Sequence, residues 1–298
     1  MWRRTDEKER GGFGFMKRLV SVAHSPDPDD AFMFYGIVKG GVLPEGWRVK
    51  HVLKDIQSLN QDARKGQYEV TAVSTAAFPS IARKYWILSV GASVGRGYGP
   101  VLVCRPEKRI LLASKNWAGL RIATPGPETT ALLLLRLAHP GFVSVDSRFD
   151  KIPDLVRRGK VDAGLVIHES QITFAELGLV KILDLGRWWR ARTGLPIPLG
   201  LDVVRKDMGL REARRMARLL HDSIRFAYRN KDEAVRYALR FGRGIDAAVG
   251  ERFVKMYVNR DTLDMGAEGE RALRTLFRLA WARRLIPHNP DFKIVRPS

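Results

Sequence analysis

The feature that most constrains the fold is a repeated pattern of a short apolar strand, a polar turn and then a helix. Strands that alternate with helices in this way predict an α/β protein with largely parallel sheets. Ligands of such sheets bind at the carboxyl ends of the strands, so the polar turns are candidate site positions. The four clearest examples are "RLVSVA" before "HSPDPDDAFMFYGIVKGG", "YEVTAV" before "STAAFPSIARKY", "LRIAT" before "PGPETTALLLLRLAHPG" and "VDAGLVI" before "HESQITFAELG".

Two of these units resemble each other, which favours two related lobes. "RKGQYEVTAV" (64–73) and "RRGKVDAGLV" (157–166) share two basic residues, a glycine and an acid at the start of the strand. Chance similarity over so short a stretch is the alternative. Related lobes would place Ser74, Thr75 and His168 at matching strand ends, with the serine and threonine in one lobe and the histidine in the other.

The linkers give the expected lobe boundaries. The glycine-rich stretch 95–108 and the proline-rich stretch 193–207 have the character of an outgoing and a returning crossover. Nearly all of 209–284 carries apolar residues at three- and four-residue spacing, which indicates helices. We therefore expect two lobes with a ligand cleft between them. Their bounds are a disordered tail at 1–16, a discontinuous first lobe at 17–104 and 203–298, and a second lobe at 105–202.

Composition and charge narrow the class of protein. The chain has 298 residues, 45% of them hydrophobic, and one cysteine, Cys104, so we expect a sizeable core without an internal disulfide. The net charge is +20, but the basic residues are spread along the chain and mixed with acids. This spread disfavours specific nucleic-acid binding and favours a solvated, arginine-rich surface like that of a heat-adapted protein. Without an apolar run of about 18–20 residues or a secretory signal, we expect a cytoplasmic protein outside the membrane.

The first strand leads into "HSPDPDDAFMFYG" (24–36), a rigid and acidic turn before a helix. Helix capping is one interpretation, with Asp29 or Asp30 as the N-cap. In the second interpretation, Ser25 and Asp27 point into the cleft, and the two interpretations are compatible. An acidic metal site is disfavoured because no cluster of carboxylates or histidines has ligand spacing.

Two further turns contain candidate site residues. In "PGPETTALLLL", Thr129 and Thr130 open a helix whose free backbone N–H groups suit a carboxylate or a phosphate. A threonine that only caps the helix is the alternative. In "GLVIHES", His168 follows an apolar strand and precedes Glu169, which suits a general base. A structural histidine is the alternative at this position.

Two other conspicuous motifs are better explained by packing. The stretch "GRGYG" (95–99) resembles a nucleotide-binding glycine loop, but a strand follows it where that mechanism needs a helix. Trp188 and Trp189 in "RWWRAR" suit base stacking, yet packing against the lobe surface is the better interpretation. Neither motif is therefore assigned to the site.

Taken together, these pieces resemble the 1,4-dihydroxy-6-naphthoate synthases of the futalosine route to menaquinone, in a wider group of menaquinone-biosynthesis and solute-binding-like proteins. The resemblance runs in the same order from about residue 17 to residue 287. It implies a two-lobed type II periplasmic-binding-protein-like α/β fold that is used as an enzyme. The motifs that carry it are "SPDPDDAFMFYG", "EVTAVSTAAFPSIARKYWILSVGASVGRGYGPVLV", "ATPGPETTALLLL", "VDAGLVIHESQITFAELGLVKILDLGRWWRARTGLPIPLG" and "YVNRDTLDMGAEGERAL".

The resemblance also implies an activity and a set of site residues. The implied enzyme is a carbon–carbon lyase that converts cyclic dehypoxanthine futalosine to 1,4-dihydroxy-6-naphthoate and releases the sugar-derived part. The family's base falls on His168, and no metal or organic cofactor is implied. A substrate carboxylate would lie at the start of the helix at Thr129, with serine and threonine hydroxyls around it. The implied substrate-binding positions are Ser25, Ala72, Val73, Ser74, Thr129 and Thr130, with Thr75 added from its place beside Ser74.

The opening turn departs from the family pattern. The usual motif is Ser-Pro-Cys-Pro-Asn-Asp, whereas Asp27 here replaces the cysteine and Asp29 replaces the asparagine. An additional acid near a carboxylate-bearing substrate is unfavourable unless that acid faces away or is paired. The identity of the substrate therefore depends on where these two acids lie.

Three other functions stay open on the sequence alone. A non-catalytic binding protein for a small carboxylate would share the fold, and a chorismate dehydratase fits the opening and site motifs less well. Nucleic-acid binding rests on charge alone and predicts a steep dependence on salt. The sequence is consistent with a monomer and with a homodimer.

Overall fold

The computed structural model describes residues 18–39, 41–114, 116–242 and 246–298, and the tail expected at 1–16 lies outside them. Two β-sheets flanked by helices make up this part of the chain. The strands are β1 (Arg18–His24), β2 (Trp47–Leu53), β3 (Val70–Ser74), β4 (Tyr85–Leu88), β5 (Ser93–Gly95), β6 (Val101–Cys104), β7 (Arg121–Thr124), β8 (Val143–Asp146), β9 (Ala163–Val166), β10 (Val180–Asp184), β11 (Ile197–Arg205) and β12 (Ile294–Val295).

Helices precede or follow most of the strands, as the repeated pattern predicts. They are α1 (Pro28–Met33), α2 (Tyr35–Val38), α3 (Ile56–Lys65), α4 (Phe78–Ile81), α5 (Arg109–Ala113), α6 (Thr130–Ala138), α7 (Ile152–Arg157), α8 (Ser170–Thr173), α9 (Leu185–Thr193), α10 (Leu210–Arg229), α11 (Lys231–Leu239), α12 (Ala247–Tyr257), α13 (Arg260–Leu263) and α14 (Gly266–Ala282). The helical pattern predicted for 209–284 corresponds to α10–α14. Among the described residues, no helix combines the length and apolar character that crossing a membrane requires.

The first sheet has the strand order β12-β4-β11-β3-β1-β2, and β5 pairs with one end of β11. β1 runs parallel to β2 and β3, as strands joined through helices do. β11 is antiparallel to β3, β4 and β5 because it returns from the second sheet. The prediction of largely parallel pairing therefore holds for the strand–turn–helix units and fails at the returning strand.

The second sheet is smaller and repeats this plan. Its strand order is β10-β6-β9-β7-β8. β7 runs parallel to β8 and β9, whereas β6 is antiparallel to β9 and β10. Each sheet thus contains a parallel group of strands and an antiparallel strand that joins the lobes.

Strand pairing places the two crossovers before the boundaries expected from the sequence. Val101–Cys104, the expected end of the first lobe, pairs with the second sheet along its whole length. Ile197–Arg205, divided at residue 203 in that expectation, pairs with the first sheet from its first residue. The physical reason is that hydrogen bonds to distant strands decide which sheet a strand joins, and local polarity does not report them.

The outgoing crossover packs against the start of α9 through glycines, since a Cβ on Gly99 would stand 2.9 Å from the backbone nitrogen of Gly186. A Cβ on Gly186 would stand 2.1 Å from the carbonyl carbon of Tyr98, so only glycine fits there. The Leu185 N–H donates to the Pro100 carbonyl at 3.0 Å beside this contact. The glycines of "GRGYG" therefore serve chain packing, in agreement with the interpretation from sequence.

The largest hydrophobic cluster includes strands of both sheets, from Val73 and Ile87 in the first to Leu102 and Leu165 in the second. Trp189 is fully buried within it, and its indole N–H donates to the Pro196 carbonyl at 2.9 Å. This contact confirms that "RWWRAR" packs against the lobe. Because apolar contacts continue from one lobe to the other, the cleft side of both sheets is held in a defined arrangement.

Candidate active site

A pocket lies between the two sheets at the strand ends that the sequence singles out. Ser74 ends β3 in the first lobe, and His168 follows β9 in the second, so the matching ends of the two related units line one pocket. Thr75 is fully buried beside Ser74 and does not line it. The predicted site residues that do line it are Ser25, Ala72, Val73, Ser74, Thr129, Thr130 and His168.

The first-lobe wall of the pocket is fixed by a buried asparagine. The Ser74 N–H donates to Asn60 Oδ1 at 2.8 Å, and Asn60 Nδ2 donates to Ser74 Oγ at 3.1 Å. Asn60 lies on α3 and is fully buried. Buried amides are hydrogen-bonded in stable proteins, and here both ends of the amide serve the one serine. The only sequence signal for this contact is a polar residue on the buried face of a helix.

The helix α6 points its N-terminus at the pocket. Thr129 is the N-cap, and its hydroxyl accepts from the Leu132 N–H at 3.4 Å. The Thr130 hydroxyl donates to the Leu199 carbonyl at 2.7 Å. Both hydroxyls thus have partners within the protein, and the capping interpretation of Thr129 is confirmed. What α6 offers to a ligand is its first backbone N–H groups, at Thr130 and Ala131, which suit an anion.

His168 stands opposite in a constrained backbone conformation. Its φ is 53°, in the left-handed region that residues other than glycine rarely adopt. The His168 ring packs on Phe149, with 4.6 Å between ring centroids. Its Nδ1 lies 3.1 Å from Asp27 Oδ2, and the Asp27 side chain is only 3% exposed. A carboxylate at this distance favours the tautomer with its proton on Nδ1, which leaves on Nε2 the lone pair that can take a proton.

A glutamine holds the backbone of this histidine. With its amide oriented toward the donors, the Gln171 oxygen accepts from the His168 N–H at 3.0 Å and from the Tyr257 hydroxyl at 2.5 Å. Tyr257 ends α12 in the first lobe, and burial raises the pKa of its hydroxyl well above its usual value, so it stays a donor. Gln171 and Tyr257 both line the pocket, and local sequence patterns do not reveal either.

The opening turn caps its helix differently from the expectation. α1 begins at Pro28, and its N-cap is Asp27, whose carboxylate makes no capping hydrogen bond. Asp29 and Asp30 lie inside the first helical turn, so the prediction that either of them is the N-cap is wrong. Proline favours the first helical position, and this starts the helix early. Asp30 instead accepts from the Ser25 N–H at 2.7 Å, across the turn.

The floor of the pocket concentrates buried carboxyl groups. Burial, and then the nearby Asp27 carboxylate, raises the pKa of Asp29 to about 7. Burial and neighbouring acids also raise the pKa of Asp30. Among the described residues that line the pocket, none is lysine or arginine, although the chain has a net charge of +20. The pocket therefore holds acids without the cations that would keep them ionised.

Asp202, on β11 behind this floor, should make the stability of the protein depend on pH. Burial raises the pKa of its carboxyl from an ordinary 3.8 to about 8, and Oδ2 has no hydrogen-bond partner among the described residues. The folded state binds this proton more tightly than the unfolded state does. The stabilising contribution of this group is therefore fully present below about pH 4 and is lost as the pH rises through 8. An amide has no proton to lose in this range. As the pH rises from 5 to 9, we therefore expect the melting temperature of Asp202→Asn to increase by several degrees relative to that of wild type. Thermal unfolding across this range checks it; a constant difference would contradict it.

A family model described as menaquinone biosynthesis matches residues 20–282, over the same range as the motifs quoted above. The chain belongs to the menaquinone-biosynthesis family. This match confirms the family assignment made from the sequence motifs.

Two named relatives are similar to this menaquinone-biosynthesis protein along nearly their whole length. A 1,4-dihydroxy-6-naphthoate synthase of Thermus thermophilus is 40% identical over 274 residues, which cover 91% of this chain and 97% of the relative. A protein of the same name from Streptomyces coelicolor is 35% identical over 274 residues, covering 90% and 95%. Named synthases at this similarity imply that this family member is an enzyme.

Solved structures support the fold of this menaquinone-biosynthesis protein. A protein of Archaeoglobus fulgidus superposes with a TM-score of 0.83 at 45% identity, covering 90% of this chain and 98% of that one. The periplasmic aliphatic sulphonate binding protein of Escherichia coli superposes with a TM-score of 0.64 at 11% identity, covering 94% and 92%. At that low identity the likeness concerns the fold alone, and it confirms the predicted two-lobed periplasmic-binding-protein-like fold.

The two departures from the usual opening motif occupy different positions in this family member. Asp27, in the cysteine position, is paired with His168. Asp29, in the asparagine position, lines the pocket, and its buried Oδ1 has no partner among the described residues. The first acid therefore belongs to the histidine, and the second faces the space that a ligand would fill.

Proposed function

We propose that the protein is a carbon–carbon lyase that converts cyclic dehypoxanthine futalosine to 1,4-dihydroxy-6-naphthoate, with His168 as the base. The observation that carries the proposal is the His168–Asp27 pair on the wall of the pocket, with 3.1 Å between Nδ1 and Oδ2. The two relatives named for this product support the choice of reaction. The resemblance of the motifs supports the choice of substrate.

Substrate binding follows from the arrangement of the walls. The carboxylate of the substrate lies at the start of α6, where the N–H groups of Thr130 and Ala131 and the helix dipole favour negative charge. Ser25 and Ser74 form the polar rim on the first-lobe side. His168 then faces the bound molecule from the second lobe.

The histidine and aspartate perform the proton transfer together. Nε2 of His168 takes a proton from the substrate, and the electron pair left on that atom forms a new π bond as the carbon–carbon bond to the sugar-derived part breaks. The fragment that keeps the electrons of the broken bond then takes the proton back from the imidazolium, so that nothing is oxidised or reduced. Asp27 stabilises the imidazolium that forms, because its carboxylate oxygen Oδ2 lies 3.1 Å from Nδ1. General-base catalysis supplies about 10²–10⁴-fold in rate, so positioning in the closed pocket supplies the remainder.

Turnover of the substrate tests the proposal. Purified protein is incubated with cyclic dehypoxanthine futalosine, and 1,4-dihydroxy-6-naphthoate is sought by mass spectrometry; we expect product. The second candidate, a non-catalytic binding protein for a small carboxylate, is favoured by the fold shared with a periplasmic sulphonate binding protein. A rise in melting temperature with the same compound but no product would contradict the lyase and support the binding protein.

Asp27→Asn separates positioning from binding. The amide cannot stabilise an imidazolium as a carboxylate does, so we expect kcat to fall at least about tenfold while KM changes little. Steady-state kinetics on cyclic dehypoxanthine futalosine measure both constants. Asp222→Asn is the matched control, because Asp222 Oδ1 lies 3.2 Å from His221 Nδ1 on α10, away from the pocket. An unchanged kcat in Asp27→Asn, or a change in KM alone, would contradict the role.

A further inference from the structure

Asp29 is a buried carboxyl that the proposed mechanism does not use. It lies in the first turn of α1, is 6% exposed and lines the pocket. Its Oδ1 has no hydrogen-bond partner among the described residues, whereas Asp27 reaches His168 and Asp30 accepts from the Ser25 N–H. Buried polar atoms without partners are rare in folded proteins. The Asp29 carboxyl is therefore a pocket-lining group whose hydrogen bonds are incomplete in the free protein, and a ligand in the pocket can supply a partner to it.

The charge of the pocket determines whether the Asp29 carboxyl meets a ligand in its neutral or its ionised form. The described lining residues include three aspartates and one histidine but no lysine or arginine. A ligand carboxylate at the start of α6 would share this confined space with the Asp29 carboxyl. Two like charges in a buried site do not both stay ionised, and a single proton between two carboxyl groups relieves the repulsion.

We propose that Asp29 binds the ligand as a neutral acid, donating a hydrogen bond from its carboxyl group, so that the anionic ligand and one proton bind together. The identity of the ligand as an aromatic carboxylate rests on the proposed function. Asp29 can then take the place of the family's usual asparagine, because a neutral carboxylic acid and an amide can both donate a hydrogen bond to the ligand.

The surroundings of Asp29 place this proton near neutral pH. Burial and the Asp27 carboxylate raise the pKa of Asp29 to about 7, and the charge of His168 opposes them. α11 and α12 also pack on α1; of their charged residues, Lys231 and Lys255 pair with Glu251, and Glu233 accepts from the Tyr35 hydroxyl. The titratable groups that face Asp29 and its neighbour Asp30 are Asp27 on the same turn, His168 after β9, Tyr98 in the crossover, Tyr257 on α12 and Asp202 on β11.

The sign of the pH dependence follows from this placement. Below pH 7 Asp29 already carries its proton, so an anionic ligand binds without proton uptake. Above pH 7 the free protein has lost the proton and must regain it when the ligand binds. Each pH unit above 7 therefore weakens binding by up to about tenfold, the free-energy equivalent of one pKa unit.

Titration calorimetry with 1,4-dihydroxy-6-naphthoate tests the proposal. Binding heats are measured at pH 5.5 and pH 8 in pairs of buffers that differ in ionisation enthalpy, which reports the protons taken up. We expect wild type to take up most of one proton per ligand at pH 8 and almost none at pH 5.5. Asp29→Asn should bind at both pH values without uptake, and Asp222→Asn should behave as wild type.

Three results would overturn the proposal: binding by wild type at pH 8 without proton uptake, the same uptake in Asp29→Asn, or no binding of the naphthoate at either pH. If the asparagine variant does not fold, the wild-type uptake at the two pH values decides alone. Failure of the proposed function gives a different pattern, in which the futalosine compound yields no product while proton-linked binding of the naphthoate persists.

Discussion

We expect that replacing His168, the proposed base, with asparagine lowers kcat by about 10²–10⁴-fold and leaves the fold intact. The rate falls because asparagine offers no nitrogen that takes a proton near neutral pH. The fold is kept for two reasons. The asparagine amide still donates toward Asp27, whose carboxylate lies 3.1 Å from Nδ1 in the wild type. Asparagine also tolerates the left-handed backbone that residue 168 adopts, with a φ of 53°.

His221→Asn is the matched control for this variant. His221 on α10 also has an aspartate partner at its Nδ1, Asp222 at 3.2 Å, but it does not line the pocket. We expect kcat in the control to equal that of wild type, and circular dichroism to show that both variants are folded. If the kcat of His168→Asn were within tenfold of the wild-type value, the role of His168 as the base would be contradicted.

Replacing Arg96 with methionine lowers the free energy of unfolding by about 3–5 kcal/mol, the usual cost of removing one partner from a buried ion pair. Arg96, directly after β5, donates from Nε and Nη2 to the Asp261 carboxylate at 2.6 and 2.7 Å, and Nη2 also reaches Glu268 at 2.7 Å. The Asp261 side chain is only 3% exposed, so the substitution leaves a buried carboxylate without its cation. Melting temperature should fall on the order of 10 °C.

The control for Arg96 is an exposed arginine with a similar contact. Arg274 donates to Glu270 at 2.8 Å along α14, and its side chain is 54% exposed. Arg274→Met should cost no more than about 0.5 kcal/mol, since solvent screens such pairs. Urea unfolding of both variants compares them, and equal losses would show that burial of Asp261 does not set the cost.

The repeated units explain why much of the fold is predictable from the sequence. The strand, the polar turn and the helix each leave a local pattern, and the helical periodicity after residue 209 does the same. The lobe boundaries leave no such pattern. Val101–Cys104 and Ile197–Arg205 join sheets through hydrogen bonds to strands far away in the chain, so their membership is a property of the folded molecule.

The candidate site likewise contains residues that a local sequence pattern predicts and residues that it does not. Ser74 and His168 are predictable as pocket residues because parallel strands end at a common edge. Thr75 is adjacent to Ser74 but turns into the core, since the chain enters a short 3-10 turn there. The contact of Asn60 was not predictable because it joins residues 14 apart in the chain, and that of Gln171 because it also depends on the distant Tyr257 hydroxyl.

The structure explains the presence of Asp27, which replaces the cysteine of the family's usual opening motif. On sequence alone it was an additional acid near a carboxylate-binding site, which is unfavourable unless the acid is paired. The structure pairs it with His168, from the other lobe. The contact depends on a helix that starts one residue after Asp27, because Pro28 takes the first helical position.

The most direct test of the site is a crystal structure of His168→Asn soaked with cyclic dehypoxanthine futalosine. We expect density for the intact compound in the pocket between the lobes. Its carboxylate should lie within hydrogen-bond distance of the Thr130 and Ala131 N–H groups, and its reacting part should face residue 168. Density for the compound outside this pocket, or with its reacting part turned away from residue 168, would contradict the proposed site.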